Sequence, residues 1–204
     1  MIEENKGDRE QNPFSPPRAA LYALGAFDRE LIDMAADDGF PDGLLAGLAA
    51  FPATLRRQIS GLSPSVLDFV PSDWTGSPAE NLTIRQQVCH LRDIETDGYH
   101  QRIARTLAEE RPFLPSIDGH ALAVERRYAA EAPAAALGAF EAARAKTIRM
   151  LKNVTAGALL RTADFEGQGR VSLLAIVHLL ASHDSQHVSG IHWLLARQTA
   201  SRAA

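Results

Sequence analysis

Apolar residues recur three or four positions apart along most of this 204-residue chain. That spacing places them on one face of an α-helix. We find no stretch with the sustained apolar and polar alternation that a half-buried strand would show. The pattern therefore predicts an all-α protein.

Proline, glycine and polar clusters divide this pattern into separate segments. The four longest segments are predicted bundle helices, over 42–61, 78–110, 133–153 and 172–198, with a short helix over 120–131. Four helices of this length form bundles whose ligand and metal sites are built from inward-facing side chains. We expect a four-helix bundle over 42–204, and an N-terminal arm over 1–41 that carries an additional helix at 18–37. The amphipathic helix of the arm favours packing on a second subunit, which makes a homodimer an expectation.

Local signals predict where the elements begin and end. Asp42 is a predicted N-cap and Gly61 a predicted C-terminal stop, while Pro52 should kink the first bundle helix or mark its true start. The tetrapeptide Ser77-Pro78-Ala79-Glu80 should open the second bundle helix, with the glutamate completing a capping box. The glycine-containing segment 155–170 is predicted as a turn.

Charge and cysteine content exclude several classes of protein. A net charge of -4 and a pI near 6.0 argue against nucleic acid as a partner, because phosphate binding needs clustered Lys and Arg. The sequence shows neither a secretory signal nor an apolar run long enough to span a membrane. One cysteine excludes an intrachain disulfide framework and is typical of a reducing cytoplasm. We expect a soluble cytoplasmic protein that acts on a small molecule.

Four of the seven histidines lie in the last predicted helix. At about 100° per residue, His183 and His187 fall on the arc of the core-facing positions Leu173, Ile176, Leu180, Ile191 and Leu194. His178 and His192 lie about 140–180° away and should face solvent or the flank of the bundle. Two imidazoles four residues apart can share one metal ion if another helix supplies a third ligand, and otherwise they are hydrogen-bonded core residues.

His90 is the best third ligand, because it borders the apolar face of the second bundle helix. That face carries Ile84, Val88, Leu91 and Ile94. His100 and His120 are predicted surface residues. Cys89 points about 100° away from its neighbour in the helix and is predicted to be a small packed residue and not a ligand.

The string His183-Asp184-Ser185-Gln186-His187 differs from the His-Glu-x-x-His helix of metalloproteases. Aspartate replaces the glutamate base, and the position where the extended motif needs a third histidine holds Trp193. We therefore exclude a protease of that type. Asp184 is interpreted as a carboxylate that orients a ligand or lies on the surface.

The chain resembles the DinB-like (YfiT-like) family of metalloenzymes over about residues 42–198. The matching stretches are Trp74-x-x-Ser77-Pro78, Val88-Cys89-His90-Leu91-Arg92-Asp93-Ile94-Glu95, Val171-Ser172-Leu173 and His183-Asp184-x-x-His187. The resemblance implies a four-helix bundle in which His90, His183 and His187 hold a divalent metal. Many members carry Gln-Ile after the last histidine, where this chain has Gly190-Ile191, so the role of that glutamine does not transfer.

The resemblance also implies a function. Some members are transferases and isomerases that use low-molecular-weight thiols, so we expect a divalent-metal-dependent enzyme, such as an S-transferase with a small thiol as co-substrate. Zinc and nickel are the expected ions. The identity of the general base stays open. Asp93, Glu95 and Asp184 are near the ligands in sequence, but each is interpreted equally well as an ordinary solvent-exposed helix carboxylate. The alternative is a non-catalytic metal-binding module or a helical interaction protein.

Overall fold

Helices make up most of the computed structural model, which describes residues 40, 41 and 43–203. In chain order the elements are α1 (Leu44–Ile59), α2 (Pro64–Leu67), α3 (Ile84–Asp93), a π-helix (Ile94–Tyr99), α4 (His100–Ala108), β1 (Phe113–Leu114), α5 (Gly119–Glu125), a 3-10 helix (Tyr128–Ala130), α6 (Pro133–Leu151), α7 (Ala156–Leu159), β2 (Thr162–Phe165), β3 (Gly169–Ser172) and α8 (Leu173–Ala203). The predicted helix over 18–37, with its dimer contact, lies outside the described residues.

The long helices form a four-helix bundle, as predicted. The α1 helix packs against α6 and α8, and the continuous stretch from α3 through the π-helix to α4 packs against the same two helices. The apolar core fills the space between them in two clusters along the bundle. Inward-facing polar groups from α3, α6 and α8 therefore share one dry interior.

The first bundle helix agrees with its predicted range. Pro52 lies inside α1 and does not mark its start, since regular helix begins at Leu44. The N-cap is Gly43, in the left-handed conformation with φ 85°, and the proposed cap at Asp42 falls outside the described residues. Gly61, with φ 78°, follows the helix end as expected, because glycine adopts this conformation without strain.

The second bundle helix begins later than predicted. Thr83 is its N-cap, and a capping box joins the Thr83 hydroxyl to the backbone of Gln86 and the Gln86 amide to the backbone of Thr83. The predicted cap at Ser77 and Glu80 is therefore wrong, because the better Thr-x-x-Gln box lies six residues later. Residues 77–82 instead run as an irregular segment beside the bundle.

A small three-stranded sheet departs from the predicted all-helical chain. β1 pairs in parallel with β2, and β2 pairs antiparallel with β3, with Ala163 opposite Val171. The region predicted as a turn therefore contains α7 and a β-hairpin that closes at Gly167, where φ is 77°. Strands of two to four residues are too short to show a reliable alternation, which explains the error.

The described residues contain no helix that is both long enough and apolar enough to cross a membrane.

Candidate metal centre

Three histidines from two bundle helices meet inside the protein. His90 comes from α3, and His183 and His187 come from successive turns of α8. The Nε2 atom of His183 lies 3.2 Å from Nε2 of His90 and 3.2 Å from Nε2 of His187. His90 is 2% exposed and His187 is fully buried. The structure thus brings together the three residues that the sequence singled out.

Glu80 is a fourth member of this cluster, and the sequence analysis missed it as a functional residue. Its Oε2 lies 3.4 Å from Nε2 of His187, and its Oε1 lies 3.8 Å from Nε2 of His90. The four donor atoms all lie within 4.8 Å of one another. The glutamate side chain is 32% exposed, so it lies on the solvent side of a cluster in which His90 and His187 are buried and His183 is half-buried.

The protonation of His187 follows from its neighbour Gln87. The Gln87 amide nitrogen donates to the carbonyl of Leu82 at 3.1 Å, so the amide oxygen must be the atom that lies 3.1 Å from Nδ1 of His187. An amide oxygen only accepts, so Nδ1 of His187 carries the proton. Its Nε2 therefore presents a lone pair to the other histidines.

Burial keeps the three imidazoles neutral. It lowers the pKa of His183 to about 3, and repulsion from a protonated His90 and from the positive charges of Arg102 and Arg144 acts in the same direction. Burial is also the main cause that lowers the pKa of His90 and of His187 below their usual value. Neutral imidazole is the form that ligates metals, so all three rings are ready to bind at neutral pH.

The geometry fits a divalent cation. Nitrogens about 2.0–2.1 Å from a tetrahedral zinc ion lie about 3.3 Å apart, close to the two 3.2 Å separations observed here. Two buried polar atoms of the cluster, Nδ1 of His90 and Oε2 of Glu80, also have no hydrogen-bond partner among the described residues. Unpaired buried polar atoms are costly, and a cation beside Oε2 of Glu80 offsets the cost of that atom, whereas Nδ1 of His90 faces Gly119 on the far side of its ring. The donor set of three histidines and one glutamate therefore supports a divalent metal.

Two glycines allow the cluster to assemble. A Cβ atom on Gly119, the first residue of α5, would lie 2.6 Å from Cε1 of His90. A Cβ atom on Gly190 of α8 would lie 2.7 Å from Cβ of Ala79 and 3.0 Å from Oε1 of Gln87. Gly190 thus lets the segment that carries Glu80, and the glutamine that orients His187, approach α8.

A buried ion network lies one residue along the chain from His183. The guanidinium of Arg144, on α6, binds Asp184 at 2.7 and 2.8 Å and Glu95 at 2.9 and 3.1 Å. Thr147 also donates to Glu95 at 2.5 Å. Burial raises the pKa of Asp184 to about 6, against the opposing effect of Arg144. Asp184 and Glu95 are therefore committed to Arg144, and Glu80 is the carboxylate that faces the histidines.

The remaining histidines and the cysteine mostly lie where the sequence placed them. His120, His178 and His192 are exposed, as predicted. His100 is buried and its Nε2 lies 3.0 Å from the carbonyl of Ala143, so its predicted surface position is wrong. The reason is that α4 packs on both α6 and α8, which buries two of its faces. Cys89 is buried, and burial raises the pKa of its thiol to about 11, in agreement with a packed residue.

The sequence profile of the DinB superfamily matches residues 48–191. The chain belongs to the DinB superfamily. This match contains Glu80 and all three histidines of the cluster. It confirms the family that the resemblance of the matching sequence stretches suggested.

A solved structure shares the fold. YfiT from Bacillus subtilis, described as a probable metal-dependent hydrolase with an unusual four-helix bundle topology, is similar with a TM-score of 0.68 and 23% sequence identity. The similarity covers 78% of this chain and 87% of that one. No curated protein matches the chain.

Proposed function

We propose that this member of the DinB superfamily is a divalent-metal-dependent enzyme acting on a small molecule. His90, His183 and His187 would hold the ion, and Glu80 would accept a proton from the attacking nucleophile. The observation that carries the proposal is the convergence of three neutral Nε2 atoms on one carboxylate that reaches solvent. Zinc and nickel are both ions that imidazole ligands bind.

The site residues have two roles in this proposal, metal binding and proton transfer. Three neutral imidazoles leave a divalent ion its full charge and an open coordination position, which is typical of catalytic sites. When bound, such an ion lowers the pKa of a water or thiol that it ligates. Oε2 of Glu80, which has no hydrogen-bond partner among the described residues, is placed to receive the released proton. Gln87 keeps His187 in the ligating tautomer throughout.

We propose a low-molecular-weight thiol as the nucleophile, which makes the reaction an S-transfer. The chain cannot supply this thiol itself, because Cys89 is buried and its pKa is raised to about 11. An external thiol must therefore reach the cluster past Glu80. The thiol-dependent members of the family that this chain resembles support this choice.

Water is the second candidate nucleophile, which would make the chain a hydrolase. The description of YfiT from Bacillus subtilis as a probable metal-dependent hydrolase favours it. The same three histidines and the same Glu80 proton acceptor serve either nucleophile, so the two candidates differ only in what enters the open position.

Metal content of variants tests the site. Purified wild-type protein loaded with zinc or nickel should retain one ion per chain, and His183→Ala and His187→Ala should retain none. His178→Ala is the matched control, because that exposed histidine lies on the same helix and should leave metal content unchanged. Wild-type protein without stoichiometric metal would end both metal-dependent candidates.

Activity then separates the two nucleophiles. The loaded protein is given an aryl halide with a small thiol, which reports thiolate displacing halide, or an activated ester in water, which reports hydrolysis. Glu80→Gln should keep the metal and slow the correct reaction by about 10²–10⁴-fold, the usual contribution of a general base. Bound metal with neither activity would instead favour a non-catalytic metal-binding module.

A further inference from the structure

Arg102, on α4, is a buried cation that has no anionic partner among the residues that the structure describes. It is 6% exposed, and its Nε is buried without a hydrogen-bond partner among the described residues. Among the described residues, its one side-chain hydrogen bond joins Nη2 to the carbonyl of Pro115 at 3.5 Å, which is too long to be strong. A buried guanidinium without a carboxylate is costly, so its retention in this position needs an explanation.

Other arginines of the protein show what the guanidinium edge formed by Nε and Nη2 usually binds. In five cases Nε and Nη2 both bind one carboxylate, at distances of 2.5–3.1 Å; the pairs are Arg56 with Glu141, Arg85 with Asp68, Arg92 with Asp93, Arg105 with Glu109 and Arg144 with Glu95. Arg102 presents the same two nitrogens and contacts no carboxylate in the described part of the chain. This edge matches the geometry of a carboxylate from another molecule.

The fold holds the guanidinium in place and keeps it beside the metal centre. Cζ of Arg102 lies 5.1 Å from the ring centre of Tyr99 and 4.5 Å from that of Phe165, so the group makes cation–π contacts with two aromatic rings. The Tyr99 ring centre is in turn 6.1 Å from that of His183. The ring of Tyr99 is therefore close to both the guanidinium and the histidine cluster.

Gly98 leaves the space that the guanidinium of Arg102 occupies. A Cβ atom there would lie 2.9 Å from Nη1 of Arg102 and 3.4 Å from Cδ1 of Ile117. Gly98 belongs to the π-helix, a form that is frequent at functional sites. The backbone therefore provides space for a guanidinium that pairs with no carboxylate in the described chain.

We propose that Nε and Nη2 of Arg102 bind the carboxylate of the small-molecule substrate and hold its reacting end beside His183. The identity of the reacting end rests on the proposed function, whereas carboxylate binding rests on the contacts of Arg102 alone. A carboxylate matches the single positive charge available at this position, and it would replace the long contact to Pro115. The substrates of this enzyme are therefore small carboxylic acids.

Matched thiol probes test the proposal on metal-loaded protein. The dissociation constants of 3-mercaptopropionate and of its uncharged methyl ester are measured by calorimetry. Wild-type protein should bind the acid at least about tenfold more tightly, in line with the strength of charge-assisted hydrogen bonds. Arg102→Gln should bring the ratio close to one. Arg102→Lys should give an intermediate ratio, because lysine keeps the charge and lacks the two-nitrogen edge.

Two further variants separate recognition from folding. Arg161→Gln is the control, because in the described part of the chain that guanidinium binds the backbone carbonyls of Thr106 and Glu109 and no carboxylate. This variant should lower Tm and leave the acid-to-ester ratio unchanged. Gly98→Ala keeps Arg102 but displaces its Nη1, and should lower the ratio. An unchanged ratio in folded Arg102→Gln or Arg102→Lys would overturn the proposal.

A measurement of Tm on metal-free protein distinguishes failure of this proposal from failure of the metal site. Propionate should raise the Tm of metal-free wild-type protein more than propionamide does, and this difference should vanish in the Arg102 variants. If the difference appears but no metal binds, the proposed function fails and the carboxylate site stands. If metal and thiol bind, but neither the acid-to-ester ratio nor the Tm difference depends on Arg102, the carboxylate site fails and the proposed function stands.

Discussion

The amide oxygen of Gln87 on α3 accepts a hydrogen bond from Nδ1 of His187 on α8, and the Leu82 carbonyl fixes the orientation of that amide. Two helices and the irregular segment after Glu80 are thereby joined through one side chain. Groups that orient a metal-ligating histidine strongly affect metal affinity.

Gln87→Leu should weaken metal binding by about 10–100-fold, because His187 loses the acceptor that fixes its tautomer. Competition with a chromophoric chelator measures the change. Gln86→Ala is the control: Gln86 only completes the capping box with Thr83, so its loss should reduce stability and leave metal affinity intact. Equal metal affinity in wild type and Gln87→Leu would contradict the role of Gln87.

Gly119→Ala should also weaken metal binding, because the new Cβ would lie 2.6 Å from Cε1 of His90 and the ring must move. Helix propensity alone favours the alanine by about 1 kcal/mol, so the two effects have opposite signs on stability. Gly138→Ala, in α6, is the control with no atom within 4 Å of the new methyl group; it should be neutral or stabilising. A Gly119→Ala protein with higher Tm and full metal affinity would show that the His90 ring does not need the space that Gly119 leaves.

Arg144→Met should lower the free energy of unfolding by about 3–5 kcal/mol, because it leaves Glu95 and Asp184 buried without a cation. Arg56→Met removes a surface ion pair with Glu141, in which the two side chains are 54% and 32% exposed, and should cost less than about 1 kcal/mol. Urea denaturation of both variants gives the comparison. Similar losses for the two variants would mean that the buried network contributes no more than a surface pair.

Cys89 should make the protein less stable in alkali. The thiol of the unfolded chain loses its proton near its ordinary pKa of 9.0, whereas burial raises the pKa in the folded protein to about 11. Between these values the folded state binds the extra proton, so the free energy of unfolding falls as pH rises. Urea denaturation at about pH 8 and about pH 10.5 should show a smaller fall for Cys89→Ala than for wild type. Identical falls would mean that Cys89 ionises equally easily in both states.

Helical periodicity accounts for what the sequence predicted of the site. Residues 183 and 187 share a helix face whatever the surrounding fold, so arithmetic at 100° per residue placed them together. The proximity of His90 required the family pattern as well, because periodicity gives a face and not a neighbouring helix. The structure confirmed that proximity, while metal binding by the three residues stays a prediction.

Glu80 could not be found in the same way, because it lies in an irregular segment where no period applies. Its Ser-x-x-Glu context also suggested a helix cap, and only the later Thr83 and Gln86 pair showed that the helix starts elsewhere. Arg144 and Arg102 were equally hidden. An arginine in an amphipathic helix is usually on the solvent face, and tertiary contacts alone show that both are buried.

The π-helix at Ile94–Tyr99 has a consequence for how this chain tolerates changes in length. A π-turn amounts to one residue more than a regular helix needs. Twelve residues separate His90 from Arg102, which would place them about 120° apart in a regular helix; with one residue absorbed by the wide turn, the angle falls to about 20°. Removing the exposed Asp97 should therefore straighten the helix and keep the two residues in phase, whereas a deletion within α3 or α4 would rotate them apart. The helix thus carries a built-in position where a one-residue deletion is tolerated.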